Sequence, residues 1–149
     1  MDVKLKGFTE ATSSFAYLAR LDMGQLQEKL QDDQLVDGVQ NGCIQKFEYA
    51  TELCWKAIKS HLLKTEGIEE VSPKKVIKAY YLAGGVQEAD YLLLLDAIED
   101  RNRVSHIYDS ATFQQIFQHM SEYAALFERT GEQLLAAAHP TATKEQTGP

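Results

Sequence analysis

Large apolar residues recur at three- and four-residue steps from Val3 almost to Leu135, and nowhere do they alternate as a half-buried strand requires. A chain with this rhythm folds as helices, and helices carrying one apolar stripe must pack against one another. Leu5, Phe8, Phe15, Leu18, Ala19, Met23, Leu26 and Leu30 predict a first helix over 3–30, with Gly24 as its weak point. A stronger stripe through Ile44, Phe47, Thr51, Cys54, Trp55, Ile58 and Leu62 predicts a long second helix over 35–64, closed by Gly67. Ser72-Pro73 reads as a helix start, with Ser as N-cap and Pro at the first helical position, and Gly84-Gly85 closes this short helix. Lys74, Lys75 and Lys78 make it basic. A fourth helix is expected over about 87–103, and the pair Asp109-Ser110 offers the N-cap of a last one. Its stripe is Phe113, Ile116, Phe117, Met120, Ala124, Phe127 and Leu134, and it should end near Ala138.

The expected architecture is therefore all-α: an antiparallel up-and-down bundle of four long helices and one short one, forming a single domain over 1–138. Residues 139–149 lack any large apolar side chain and are expected to be a disordered tail. The fourth helix carries Tyr91, Leu92, Leu93, Leu94 and Leu95 in one block and is apolar on nearly every side. A small bundle cannot cover one helix that fully, so part of this surface is expected to face a second copy in a homodimer.

Charge narrows the partners. With 15 Lys+Arg against 22 Asp+Glu the net charge is -7, so the whole-protein field repels phosphate backbones, no DNA partner is expected, and any RNA or nucleotide contact must be local. No basic start precedes an apolar stretch, and no run approaches the roughly 20 apolar residues needed to cross a bilayer, so the expected location is the cytoplasm, away from membranes. Cys43 and Cys54 are the only cysteines. On one helix they stand about 16 Å apart along the axis, too far to bridge, and both fall on the core stripe with Phe47 and Ile58.

There is no HExxH, CxxC, Walker loop or GxGxxG, and neither metal nor cofactor is expected. His61, His119 and His139 each stand apart from any second ligand at metal spacing. His106 differs, because Asp100-Arg101-Asn102-Arg103-Val104-Ser105-His106-Ile107-Tyr108 gathers a permanent cation, an amide, a near-neutral base and a phenol. Arg can fork onto two phosphate oxygens, and neutral His can take a proton from a ribose 2′-hydroxyl, so RNA cleavage would need no metal. On a continuous helix, however, Arg101 and His106 lie about 140° apart and cannot face one phosphate. Either the helix ends near Val104-Ser105 or two copies share the site. The alternative is purely structural, with Arg101 and Asn102 tying the helix end to a neighbour and His106 and Tyr108 capping a turn.

Arg101-Asn102, Ser105-His106 and Tyr108 resemble the Arg-x4-His-x-Tyr motif of the HEPN superfamily. Phe47-Glu48, Glu52-Leu53 and Trp55-Lys56 resemble the FE-x3-EL-x-WK signature of the HEPN branch called nucleotidyltransferase substrate-binding proteins. Pro73 before a short basic helix fits that branch, and the resemblance spans roughly 3–135. It implies a dimerising antiparallel bundle partnered by a separate minimal nucleotidyltransferase encoded beside it, in the manner of a toxin and antitoxin. It also implies Arg101 and His106 as the residues of metal-independent RNA cleavage, with Asn102 and Ser105 in support and Tyr108 as the acceptor of AMP. An added AMP would set a bulky anion beside the Arg and block the cleft.

Glu48 and Glu52 lie one turn apart, and Glu52 has Lys56 one turn on, so both read either as solvated ion pairs or as carboxylates that orient Arg101 or His106 from across the bundle. Trp55 reads as a core residue ahead of a base-stacking platform. Three functional readings remain open: a dimeric subunit that docks a nucleotidyltransferase and presents nucleotide, substrate or Tyr108 to it; an endoribonuclease toxin using Arg101 and His106; and an orphan helical dimer with no ligand.

Overall fold

A computed structural model describes residues 2–106 and 110–138. Within them the chain forms seven helices and no strand: α1 (Val3–Ala19), α2 (Met23–Leu30), α3 (Asp33–Glu66), α4 (Pro73–Leu82), α5 (Glu88–Val104), α6 (Ser110–Phe117) and α7 (Met120–Ala137). The fold is all-α, as the periodicity requires. Its spine is α3, whose 34 residues extend about 51 Å. α1 and α7 pack along it and against each other, α4 and α5 close another side, and α2 lies on the first turns of α3.

Two expected helices are each broken in two. Residues 3–30 do not run through, because the Asp22 carboxylate accepts the backbone N–H of Gln25 at 3.0 Å and so starts a new helix. Gly24 lies inside that new first turn, and the break falls just ahead of it. Asp32 then accepts from Gln34 and Leu35 at 3.0 and 3.2 Å and starts α3 two residues earlier than the apolar pattern suggests. The last helix pauses at Gln118-His119, where the His119 N–H bonds to Ile116 O in a tightened turn and the backbone stays right-handed. No Gly, Pro or side-chain cap marks this second break. Asp109, the expected N-cap of α6, lies outside the described residues, as do Tyr108 and the 139–149 tail.

The centre of the core is aromatic. Phe47 on α3 stacks on Tyr123 at 5.2 Å and on Phe127 at 6.4 Å, while Phe15 and Phe8 of α1 reach the Phe127 ring, each at 6.0 Å. These rings tie α1, α3 and α7 at one level, and Ala50, Thr51, Ile58 and Leu62 extend the same buried stripe along α3. Cys43 and Cys54 lie on that stripe as free thiols, and burial pushes Cys43 up to about 11 and Cys54 further still. α5 is less apolar outside than expected. Its own chain buries Leu94, Ala97 and Ile98 and half-buries Tyr91, Leu93 and Leu95, with Tyr91 stacked on Tyr81 at 4.4 Å. Leu92 is left half exposed.

At the α4–α5 turn the backbone of Gly85 runs against the buried Tyr80 ring, and a Cβ there would come within 2.1 Å of Tyr80 Cε1. Gly85→Ala should therefore cost about 1–3 kcal/mol through overpacking, read as a lower urea midpoint at unchanged slope. Phe47→Ala should cost more, about 3–5 kcal/mol, because it removes the ring shared by three helices. A loss from Phe47→Ala no larger than a surface substitution gives would show that this aromatic level is not the core's centre.

Candidate functional site

Glu48 and Glu52 sit on α3 at positions just off the buried stripe, and Arg101 comes from the last turn of α5. The two helices pack together and bring Arg101 Nη2 to 3.4 Å from Glu52 Oε2. Trp55, one turn on from Glu52, donates its indole N–H to the same oxygen at 3.1 Å, and Lys56 Nζ stands 3.3 Å from Oε1. One carboxylate thus gathers an indole, an ammonium and a guanidinium. Burial pushes the Glu52 carboxyl up, but the Trp55 hydrogen bond, Lys56 and Arg101 together outweigh it and hold Glu52 below the ordinary carboxylate range.

Arg101 is only partly used by this pairing. Its Nε is enclosed and has no hydrogen-bond partner, and its side chain is about one-third exposed. A guanidinium has five donors, so several remain to meet a ligand with acceptor oxygens. The groove beside it, about 750 Å³, is floored by Gly42 and lined by Gln45, Lys46, Glu48, Tyr49 and Glu52. Lys46 is held from α1, its Nζ 2.7 Å from Ser14 Oγ, and the Tyr49 ring stands free at 62% exposure. The arrangement offers an exposed aromatic face, two carboxylates and two cations around a space the size of a small metabolite or nucleotide.

The rest of the motif is placed elsewhere. α5 ends at Val104, and Ser105 and His106 continue in a right-handed turn with the His106 N–H bonded to Arg103 O at 2.9 Å. Asn102, Ser105 and His106 are exposed, and none of them lines the Arg101 groove. Within the chain, Arg101 meets Glu52 and shares a groove with Glu48, and His106 is not among the residues that line it. Tyr108 lies outside the described residues. Among the described residues, no group of three or more His, Cys, Asp or Glu is placed to hold a metal ion.

Three contributors escaped sequence reasoning. Asp100, read only as the first residue of the motif, is buried and accepts the Tyr123 hydroxyl at 2.5 Å, with Arg103 Nη1 at 3.5 Å on its other oxygen. This pins the end of α5 to α7 and fixes where Arg101 emerges. Burial and the adjacent Asp100 carboxylate push the Tyr123 phenol far above its ordinary range. Trp55 is half-buried against the core, as expected, but it also donates to Glu52, a role for which its three-residue spacing from Glu52 was the available signal. Tyr49 carried no signal beyond lying between Glu48 and Glu52.

The chain is similar to known proteins over most of its length. A family model described as "Nucleotidyltransferase substrate binding protein like" matches residues 8–136. A protein of Thermus thermophilus, known from its crystal structure, is 30% identical, with a TM-score of 0.73 over 85% of this chain and 98% of its own. No curated protein matches.

Because Trp55 is the only tryptophan and hydrogen-bonds Glu52, its fluorescence reports the carboxylate. Glu52 ionisation contributes stability above its unfolded value, near 4.5, and that contribution is lost as pH falls through the lower folded value. In Arg101→Ala the acid-side midpoint of Trp55 emission should move toward higher pH, because one of the charges favouring the anion is gone. An unmoved midpoint would mean that Arg101 does not act on Glu52. Tyr123→Phe should cost about 1–3 kcal/mol in chemical denaturation by stranding the buried Asp100 carboxylate.

Proposed function

Because the chain belongs to the nucleotidyltransferase substrate binding protein-like family, we propose that it is the partner subunit of a separate minimal nucleotidyltransferase. It acts as a homodimer in the cytoplasm and presents a nucleotide, a substrate or its own Tyr108 to the active site of that enzyme. The observation that carries this reading is the family match over residues 8–136, nearly the whole folded domain. The Arg101 groove supports it locally: a guanidinium with unused donors beside an exposed aromatic ring suits a ligand carrying a phosphate or another group rich in acceptor oxygens. Glu48 and Glu52 act as positioning residues for Arg101, with Asn102 and Ser105 supporting the turn that leads to His106 and Tyr108.

Metal-independent RNA cleavage by Arg101 and His106 is the rival reading, with His106 meeting Arg101 either across the end of α5 at Val104 or from a second copy. The two readings part in one set of measurements. The protein is mixed with the nucleotidyltransferase encoded beside it, sized by light scattering, and weighed intact after incubation with ATP. We expect a stable complex containing a dimer of this chain and a mass gain of one or more AMP units on wild type that is absent in Tyr108→Phe. Failure of the two proteins to associate would overturn the proposal. RNA cleavage by the isolated dimer, abolished in both Arg101→Ala and His106→Ala with folding intact, would replace it with the ribonuclease reading.

A further inference from the structure

At the end of the bundle away from α2, the first turn of α1, the last three turns of α3 and the last turn of α7 enclose a second cavity of about 440 Å³. It shares no residue with the Arg101 groove, and on α3 its His61 lies about 13 Å along the axis from Glu52. Its floor is apolar: Leu5, Ala57 and Leu134, all buried, with Ala137 at the rim. Nothing in the family reading uses it.

The polar groups around this floor are mostly acceptors. α7 ends here with no basic residue in its last turn, so the last carbonyls of the helix and the negative end of its dipole lie at the rim. α3 also delivers its C-terminal end here. His61 is kept neutral: burial lowers its pKa, and the Glu66 charge only partly offsets that. The Thr65 hydroxyl donates its proton to His61 O at 2.8 Å, and a neutral imidazole always presents one acceptor nitrogen, whichever tautomer is adopted. Asp2 supplies a carboxylate, oriented by the Lys4 backbone N–H at 3.2 Å on one oxygen and the Ser60 hydroxyl at 3.0 Å on the other. The one cation among the described lining residues, Lys64, is paired with Asp2 at 3.2 Å, and its side chain is 62% exposed, so it can swing into water at little cost.

An apolar floor below a rim of carbonyls, imidazole and carboxylate selects an apolar body with a cationic, donor-only head. We propose that this cavity binds a small amphipathic amine, its hydrocarbon part against Leu5, Ala57 and Leu134 and its ammonium toward the end of α7, His61 and Asp2.

The test uses the full chain and two matched probes, phenethylamine and 3-phenylpropionate, which share a ring and a linker and carry opposite charge. Binding is followed by the His61 ring proton resonances and by calorimetry. The expected result is saturable binding of phenethylamine that moves the His61 resonances and leaves the Trp55 indole resonance unchanged, with 3-phenylpropionate at least about tenfold weaker. Ala137→Trp changes an exposed residue and plugs the rim, and it should weaken phenethylamine binding by at least about tenfold while thermal stability is unchanged. No saturable binding, equal or tighter binding of the carboxylate, or binding indifferent to Ala137→Trp would each overturn the proposal. Because complex formation with a nucleotidyltransferase is read separately, failure here leaves that proposal standing, and the converse holds.

Discussion

Everything in this molecule is organised by the need to cover one long helix. α3 owes most of its stability to packing rather than to propensity, and its buried stripe from Val36 to Leu62 has to find partners along its length. α1 and α7 supply them on one side and α4 and α5 on another, with the Phe47 ring stacked between Tyr123 and Phe127 as the level at which three helices are locked. What remains of the α3 surface is divided by where those partners stop. Near its middle, the edge left between α1 and α5 becomes the Arg101 groove; near its end, the edge left between α1 and α7 becomes the cavity under His61.

The groove depends on this packing at one remove. Arg101 is useful only if the end of α5 is held at a fixed height on α3, and the group that holds it is its neighbour Asp100, bound through the Tyr123 hydroxyl to α7. The same ring of Tyr123 stacks on Phe47, so the polar anchor of α5 and the aromatic centre of the core are one side chain. A substitution in the core is thereby felt at the groove, because the geometry of Glu52, Trp55 and Arg101 is set by how α3, α5 and α7 meet.

Much of the fold could be read directly from the residues. α4 was bracketed by Ser72-Pro73 and Gly84-Gly85, and α3 by Gly67, whose positive φ of 66° closes the helix. The break at Asp22 was hidden because Met23, Leu26 and Leu30 keep the period of the preceding helix, and a single carboxylate overrides it. The break at Gln118-His119 has no local signature. At the site, the branch signature covers Glu48 and Glu52 and the Arg-x4-His-x-Tyr motif covers Arg101, and the structure sets Glu52 and Arg101 3.4 Å apart. Spacing alone could not pair Glu52 with Arg101, since the contact spans two helices and depends on their register. The angular argument that kept Arg101 and His106 apart applies to a continuous helix, and α5 ends at Val104, just before Ser105 and His106.

The two thiols of α3 have a practical consequence for anyone who wishes to watch this protein move. Both are enclosed and held protonated at neutral pH, since burial pushes Cys43 up to about 11 and Cys54 higher. An alkylating dye or spin label that reacts with thiolate will pass them by. A single cysteine placed on the surface, near Tyr49 or near the end of α7, can be labelled in the wild-type background. Opening of either recess can then be followed without first stripping the core of its sulfur.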